Sequence, residues 1–354
     1  MKALNVNSYT RFINRKTLAT AITITGIGIS QQAVSAEVLK LYNWGDYINP
    51  AVLETFTKQT GIAVSVDAYT SNEEMLAKLQ AGATGYDVVF PSVHMQDIMA
   101  QLNLLEKTDI NQYAGFSHID TRFLNAKSDP NGEYCLPYAW GTVGILYNKK
   151  LVGSINSWEE FFNLPKDGKK IAMLDDMREV IGVGLIEHGK SVNSTDRDDL
   201  KKAQEFIIKQ KPYVSSFTYD SAPLVQSGDI AAAQWYVGAM HYVNQTPDDL
   251  GYVIPKEGAT MYQENMCVLQ SAPNKSNAKK FLEFFTQPEI AALNTRQQMN
   301  GTANKDAIAL LPEHIRDNPS INPSPEVRAK LQLFADLGKD IKLYDRVWTK
   351  IRTH

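Results

Sequence analysis

Cysteine is almost absent: two residues in 354, Cys135 and Cys267, lie 132 positions apart. Zinc and dithiol-redox spacings are thereby excluded. An oxidising compartment could join the pair in one disulfide, but the expectation is two buried thiols acting as small apolar residues. Histidine is sparse too, and the six (94, 118, 188, 241, 314, 354) are isolated from one another, so no metal-ligand spacing appears. No Gly-x-Ser-x-Gly elbow, phosphate loop or His-Glu-x-x-His pair is present. Beyond the N-terminus there is no apolar run long enough to cross a bilayer, and there is neither an internal repeat nor a low-complexity tract. Positive charge is not in surplus, with 36 Lys+Arg against 39 Asp+Glu. That balance argues against nucleic acid as a partner, because neutralising phosphates needs a basic face.

The N-terminus reads as an export signal. Arg15 and Lys16 precede a mild apolar run from Thr17 to about Ser30, and Ala33-Val-Ser-Ala36 offers small residues where a signal peptidase reads. Residues 1–36 are expected to be removed, leaving 318 residues, enough for two domains. The leader's four cations (Lys2, Arg11, Arg15, Lys16) leave with it, so 32 Lys+Arg face 39 Asp+Glu and the net charge moves from −3 to −7. The expected location is a bacterial periplasm.

Strands and helices then alternate. Val38 to Tyr42 reads as a strand, and Asn49-Pro50 opens a helix that Gly61 ends. Ile62, Val64, Val66 and Ala68 alternate as a strand, and Ser71-Asn-Glu-Glu74 is a capping box for the next helix. Tyr86 to Phe90 is a buried strand ended by Pro91-Ser92. The pattern resumes with strands at Thr142–Tyr147, Lys170–Leu174, 230–235 and 252–254, a second capping box at Ser157-Trp-Glu-Glu160 and a helix over Val180–His188. Asn265–Leu269 and helices from Lys275 and Pro288 add to the first unit, Ser276 serving as a helix cap. A last helix is expected near Pro325–Leu337. This alternation calls for parallel sheets flanked by helices, whose ligands collect at the carboxyl ends of strands. Four such ends carry unusual residues: Trp44-Gly-Asp-Tyr47, Pro91-Ser92, Asp175-Asp176 to Glu179, and Tyr262-Gln-Glu264.

These ends pair aromatics with acids. An alkyl polyamine needs aromatic walls for its methylenes, worth about 0.8 kcal/mol per buried CH₂, and carboxylates plus ring faces for its ammoniums. Trp44/Asp46/Tyr47 and Tyr262/Glu264 offer that pairing. Taken alone, Trp44 serves equally well as a core residue. Asp176 with Glu179 could be the carboxylate pair of an exported hydrolase, although acids at helix starts are commonly caps.

The stretch Leu41-Tyr-Asn-Trp-Gly-Asp-Tyr-Ile-Asn-Pro50 resembles the opening of bacterial periplasmic spermidine/putrescine-binding proteins. So do Ser71–Met75, Tyr86–Ser92, Leu136-Pro-Tyr-Ala-Trp-Gly141, Asp175-Asp-Met-Arg-Glu179 and Pro255–Gly258. The resemblance implies an α/β, two-lobed type II periplasmic binding protein fold, each lobe a mainly parallel sheet flanked by helices, with the ligand in the interlobe cleft. It implies lobe 1 over 37–142 plus 263–308 and lobe 2 over 143–262 plus 309–354. Such proteins capture a polyamine and deliver it to an inner-membrane ABC permease; some serve a membrane-bound sensor instead. By position, Trp44, Asp46, Tyr47 and Ser92 line the cleft from lobe 1, and Asp176 and Glu179 bind amines from lobe 2. Tyr236 and Tyr262 supply aromatic walls, and Glu264 takes the place of an ammonium-binding aspartate. Tyr236, rather than its neighbour Trp235, is expected to face the ligand. Gly45, His94, Ala239 and Asn300 depart from the family's pattern, which bears on ligand length more than on fold. The reading is a monomeric solute-binding protein with no catalysis, cofactor or metal.

Overall fold

The computed structural model describes residues Val38–His354; the expected leader lies outside them. Local signals start the elements as the sequence suggests. The Asn49 side chain accepts from Ala51 N–H at 3.0 Å, Pro50 begins the Pro50–Thr60 helix, and Gly61 ends it at φ 74°, a conformation that costs glycine little. Ser71 Oγ accepts from Glu74 N–H at 3.1 Å, and the Glu74 carboxylate accepts from Thr70 N–H at 2.8 Å. Ser157 and Glu160 repeat the device, with Glu160 accepting from Asn156 N–H at 2.7 Å. In both boxes the glutamate reaches one residue ahead of the cap.

Eleven strands among the described residues share one sheet. They are β1 Val38–Trp44, β2 Ala63–Tyr69, β3 Val88–Val89, β4 Cys135–Asn148, β5 Ile171–Met173, β6 Val214–Phe217, β7 Ala232–Tyr236, β8 Leu250–Val253, β9 Ala259–Val268, β10 Gly301–Thr302 and β11 Leu331–Leu333. The order is β2-β1-β3-β9-β4-β7-β5-β6. Parallel sets stand at both ends, β2-β1-β3 and β7-β5-β6, while β9 and β4 between them run antiparallel to each other and to β3 and β7; β11 adds to β9 in parallel. The result is a two-lobed α/β fold whose lobes are bridged by two long antiparallel strands. One apolar core gathers Leu39, Leu41, Phe56, Val88, Phe281 and their neighbours, and another gathers Trp158, Phe161, Ile171, Leu185, Tyr344 and theirs.

Several expectations need correction. Cys135 and Cys267 are not free thiols: they are disulfide-bonded. They stand directly opposite each other on β4 and β9, with Cα atoms 4.5 Å apart, a register that a separation of 132 residues conceals. β2 alternates in sequence, yet Val66 is 38% exposed, because β2 is an edge strand with little packed over it. Asn274 precedes the Lys275–Phe285 helix, so Ser276 lies inside its first turn instead of capping it. Helix near Pro325 stops at Arg328; β11 follows, and the last helix is Ile341–Thr353.

β4 also carries a bulge. Pro137 pairs with Asn265 and Ala139 with Glu264, so Tyr138 is the extra residue. Pro137 has no N–H to give a ladder, and a bulge tolerates that loss. The bulge lets the Tyr138 hydroxyl donate to Tyr47 O at 2.5 Å, tying β4 to the loop after β1.

Candidate functional site

Thr260, Tyr262 and Glu264 alternate along β9 and so share one face. Each is met by a different element. Glu264 is 6% exposed and its carboxylate accepts from the Tyr47 hydroxyl at 2.8 Å. Asn300 Nδ2 donates to the same hydroxyl at 3.0 Å. Opposite Tyr262 on β4 stands Gly141, where a Cβ would meet Tyr262 Oη at 2.3 Å and Val237 Cγ1 at 2.6 Å. The absent side chain at Gly141 is the space the tyrosine ring occupies. Tyr236, at the end of β7, meets Tyr262 edge-on with centroids 5.7 Å apart, while Trp235 packs against the apolar cluster around Ala233 and Leu250.

At the other end of this face, Thr260 Oγ1 donates to Glu179 Oε2 at 2.5 Å. Glu179 is 3% exposed and sits in the first turn of the Met177–Glu187 helix. Asp176 caps that helix, accepting from Arg178 N–H at 2.8 Å and Glu179 N–H at 3.0 Å through one oxygen; the other accepts from the Tyr219 hydroxyl at 3.3 Å. Arg178 does not pair with its acidic neighbours. Its guanidinium lies between the rings of Phe334 (4.5 Å) and Tyr344 (4.8 Å) and donates to Asn193 Oδ1 at 2.8 Å.

Trp44 and Ser92 stand beside the Glu264 end. The Trp44 indole N–H donates to Phe90 O at 2.9 Å, and its ring leans on Tyr69 at 4.7 Å. Ser92 bridges to Glu264 across the strand ends. Its hydroxyl makes no capping bond to the helix it precedes and is taken up by Asn72 Nδ2 at 2.9 Å and His94 Nδ1 at 3.0 Å. Asp46 is not drawn into this network. It is exposed at φ 53°, and among the described residues its carboxylate makes no hydrogen bond or ion pair; Gln298 Nε2 donates to its backbone oxygen instead.

Burial sets the electrostatics. It pushes both Glu179 and Glu264 up to about 8; the nearby Asp176 charge adds to the rise at Glu179, and the hydroxyl donors oppose it. Burial also raises Tyr47, Tyr236 and Tyr262 far above the ordinary phenol range, so their hydroxyls stay protonated. His94 goes the other way, down to about 4, through burial and the charge of Arg178, and is a neutral ring. The site thus presents two buried carboxyl groups with hydroxyl partners and no cation in salt-bridge contact among the described residues.

Thr260 and Tyr219 escaped the sequence reading. The alternation of 260, 262 and 264 would have found the first. The short β6 run Val214-Ser-Ser-Phe217, with Tyr219 just past its carboxyl end, would have found the second.

The model of the bacterial extracellular solute-binding protein family matches residues 51–323. The chain belongs to this family. A putrescine-binding periplasmic protein of Pseudomonas aeruginosa, SpuD, is 34% identical, the match covering 94% of this chain and 97% of that protein. The spermidine/putrescine-binding periplasmic protein of Escherichia coli K12 is 31% identical over 89% of this chain and 91% of its own. Among solved structures, the spermidine/putrescine ABC transporter substrate-binding protein PotD of Streptococcus pneumoniae superposes with a TM-score of 0.82 at 30% identity, covering 90% of this chain and 99% of its own. These agree with the resemblance carried by the motifs around Trp44, Ser92 and Glu179.

Proposed function

We propose that this solute-binding protein captures a polyamine in the periplasm and delivers it to an inner-membrane ABC permease. The carrying observation is the pair of buried acids without cations. A buried carboxylate is normally paired or heavily hydrogen-bonded, because removing it from water is costly. Glu179 accepts one hydroxyl; Glu264 accepts one hydroxyl and its own backbone N–H. Both are finished by an ammonium. Asp176 adds a third acid at the rim, and Trp44, Tyr47, Tyr236 and Tyr262 supply aromatic surface for the methylenes. The names of the relatives support the ligand class.

The two acids are spaced for a chain with charge at intervals. Thr260, which holds Glu179, and Glu264 lie four residues apart on β9, about 13 Å at strand rise. Tyr262 lies midway. A ligand engaging both ends therefore carries ammoniums separated by several methylenes, with the central segment over the Tyr262 ring.

In this reading residues 37–142 plus 263–308 and 143–262 plus 309–354 form the two lobes, and β4 and β9 are the segments about which they close. Closure follows because acids and rings from both lobes grip one ligand only in the closed state. The test is calorimetric titration of protein unfolded and refolded to strip carried-over ligand, using putrescine, norspermidine, spermidine and spermine. Micromolar or tighter binding with one preferred amine supports the proposal. Silence across the series, in protein shown to be folded, removes it and leaves the fold standing.

A further inference from the structure

Lobe 2 carries a second charged feature, outside the cleft. The Arg197–Gln210 and Ile341–Thr353 helices pack side by side, and the groove between them has a volume of about 290 Å³. Arg197, Lys201, Arg346 and Lys350 line it, all exposed, with no acid in the lining. Its floor is apolar: Leu200, Leu343 and Val347.

The arrangement works against the helices that hold it. Arg197/Lys201 and Arg346/Lys350 are both i,i+4 pairs, so each helix stacks like charges on one face. Arg197 lies in a first turn, where the helix dipole disfavours a cation. Acids on the same helices relieve little: among the described residues the four cations make one ion pair, Lys201 with Glu205 at 3.9 Å, and Asp199 is taken by Lys190 at 2.9 Å. Another basic groove, beside Tyr113, is different. There Glu283 is in the lining, and Glu106 pairs with Lys275 at 2.7 Å and Lys279 at 3.9 Å. Four converging cations with a single long ion pair among them are the more notable in a chain of net charge −3.

We infer that the groove between these helices is a binding site for a phosphate-bearing anion of at least two negative charges. Two arginines offer the planar fork that matches phosphate oxygens, the lysines add point charges, and the apolar floor takes a non-polar substituent. The anion's source is a free phosphate compound or a lipid headgroup, and the two are separable. The full chain is titrated with inorganic pyrophosphate at low salt and sedimented with vesicles containing cardiolipin, whose headgroup carries two phosphates. Binding of at least one probe is expected, weakened by added salt. It should fall at least tenfold in the double variant Arg346→Gln/Lys350→Gln and remain in Lys275→Gln/Lys279→Gln. Pyrophosphate alone assigns a free phosphate compound, and vesicles alone assign the headgroup. Without anion, the Arg346→Gln/Lys350→Gln protein should melt no lower than the native one, since repulsion is relieved. Failure of both probes, an equal loss in the Lys275/Lys279 variant, or a lower melting temperature overturns the inference. Polyamine titration of the same variants reports on the cleft separately.

Discussion

Two sets of buried acids divide this molecule. In the scaffold, Asp129 accepts backbone N–H groups from Glu133, Tyr134 and Cys135 at 2.6–3.1 Å. Asp87 accepts from Lys40 and Asn274 N–H at 2.9 and 2.8 Å, and Asp97 from Ser128 N–H at 2.8 Å. At the candidate site, Glu179 and Glu264 are as deeply buried, but their bonds from other residues are a single hydroxyl each. All five are buried carboxyl groups; the donors differ. Backbone amides are fixed and complete a carboxylate for good, so scaffold acids hold loops in place. A lone hydroxyl leaves a carboxylate unfinished, at a cost to stability that a ligand cation can offset.

Substitution should split the two sets. Asp129→Ala orphans three amides, that of Cys135 fully buried, and is expected to cost about 3 kcal/mol in a denaturant melt, with polyamine affinity within twofold of native in the folded fraction. Glu264→Gln should do the reverse. Affinity falls at least tenfold by calorimetry while the melting temperature holds or rises. A Glu264→Gln protein that melts low and binds normally would place Glu264 with the scaffold acids.

Gly141→Ala probes the wall between the acids. A methyl at 2.3 Å from Tyr262 Oη must push that ring or Val237 aside, so a three- to tenfold loss of affinity is expected together with a stability cost of about 1–3 kcal/mol. Unchanged affinity would take Tyr262 out of the contact surface.

A pH series sharpens the contrast further. Burial raises Glu179 and Glu264 to about 8 from an ordinary 4.5, so between those values the ligand-free folded state holds more protons than the unfolded one. Stability of the free protein should therefore fall as pH rises from about 5 to 8. A bound ammonium favours the carboxylates, so binding releases protons and affinity rises over pH 6–8. Titration in two buffers of different ionisation enthalpy counts those protons; identical heats would contradict the assignment. The smallest effect is expected at Tyr219→Phe, which removes the 3.3 Å bond to Asp176 and should change affinity two- to threefold.

Much of this contrast was legible in sequence, though unevenly. Asn49, Pro50, Gly61 and the two serine–glutamate boxes announce their helices because capping is a local transaction among neighbours. Asp176 and Glu179 were visible as acids at a strand's end for the same reason. What stayed hidden depends on pairing between distant segments. The Cys135–Cys267 bond, the bulge at Tyr138 and the contact of Thr260 with Glu179 follow from the register of β4 and β9 and from the packing of the Met177–Glu187 helix, none of which is written locally. The last helix was misplaced because Pro325 is a good helix start, while nothing nearby reveals that Leu331–Leu333 pairs with β9. Asp46 shows the converse limit: the motif that holds it is specific, yet its carboxylate is exposed and takes no hydrogen bond or ion pair among the described residues.

The central claim is that Glu179 and Glu264 are the unfinished acids that polyamine completes. Its most direct test is spermidine titration of native protein beside the Glu179→Gln/Glu264→Gln double variant at pH 7.5, with melting curves of both. Micromolar binding in the native protein, lost at least a hundredfold in a double variant that melts no lower, is the predicted result. Equal affinity in the two proteins would contradict it.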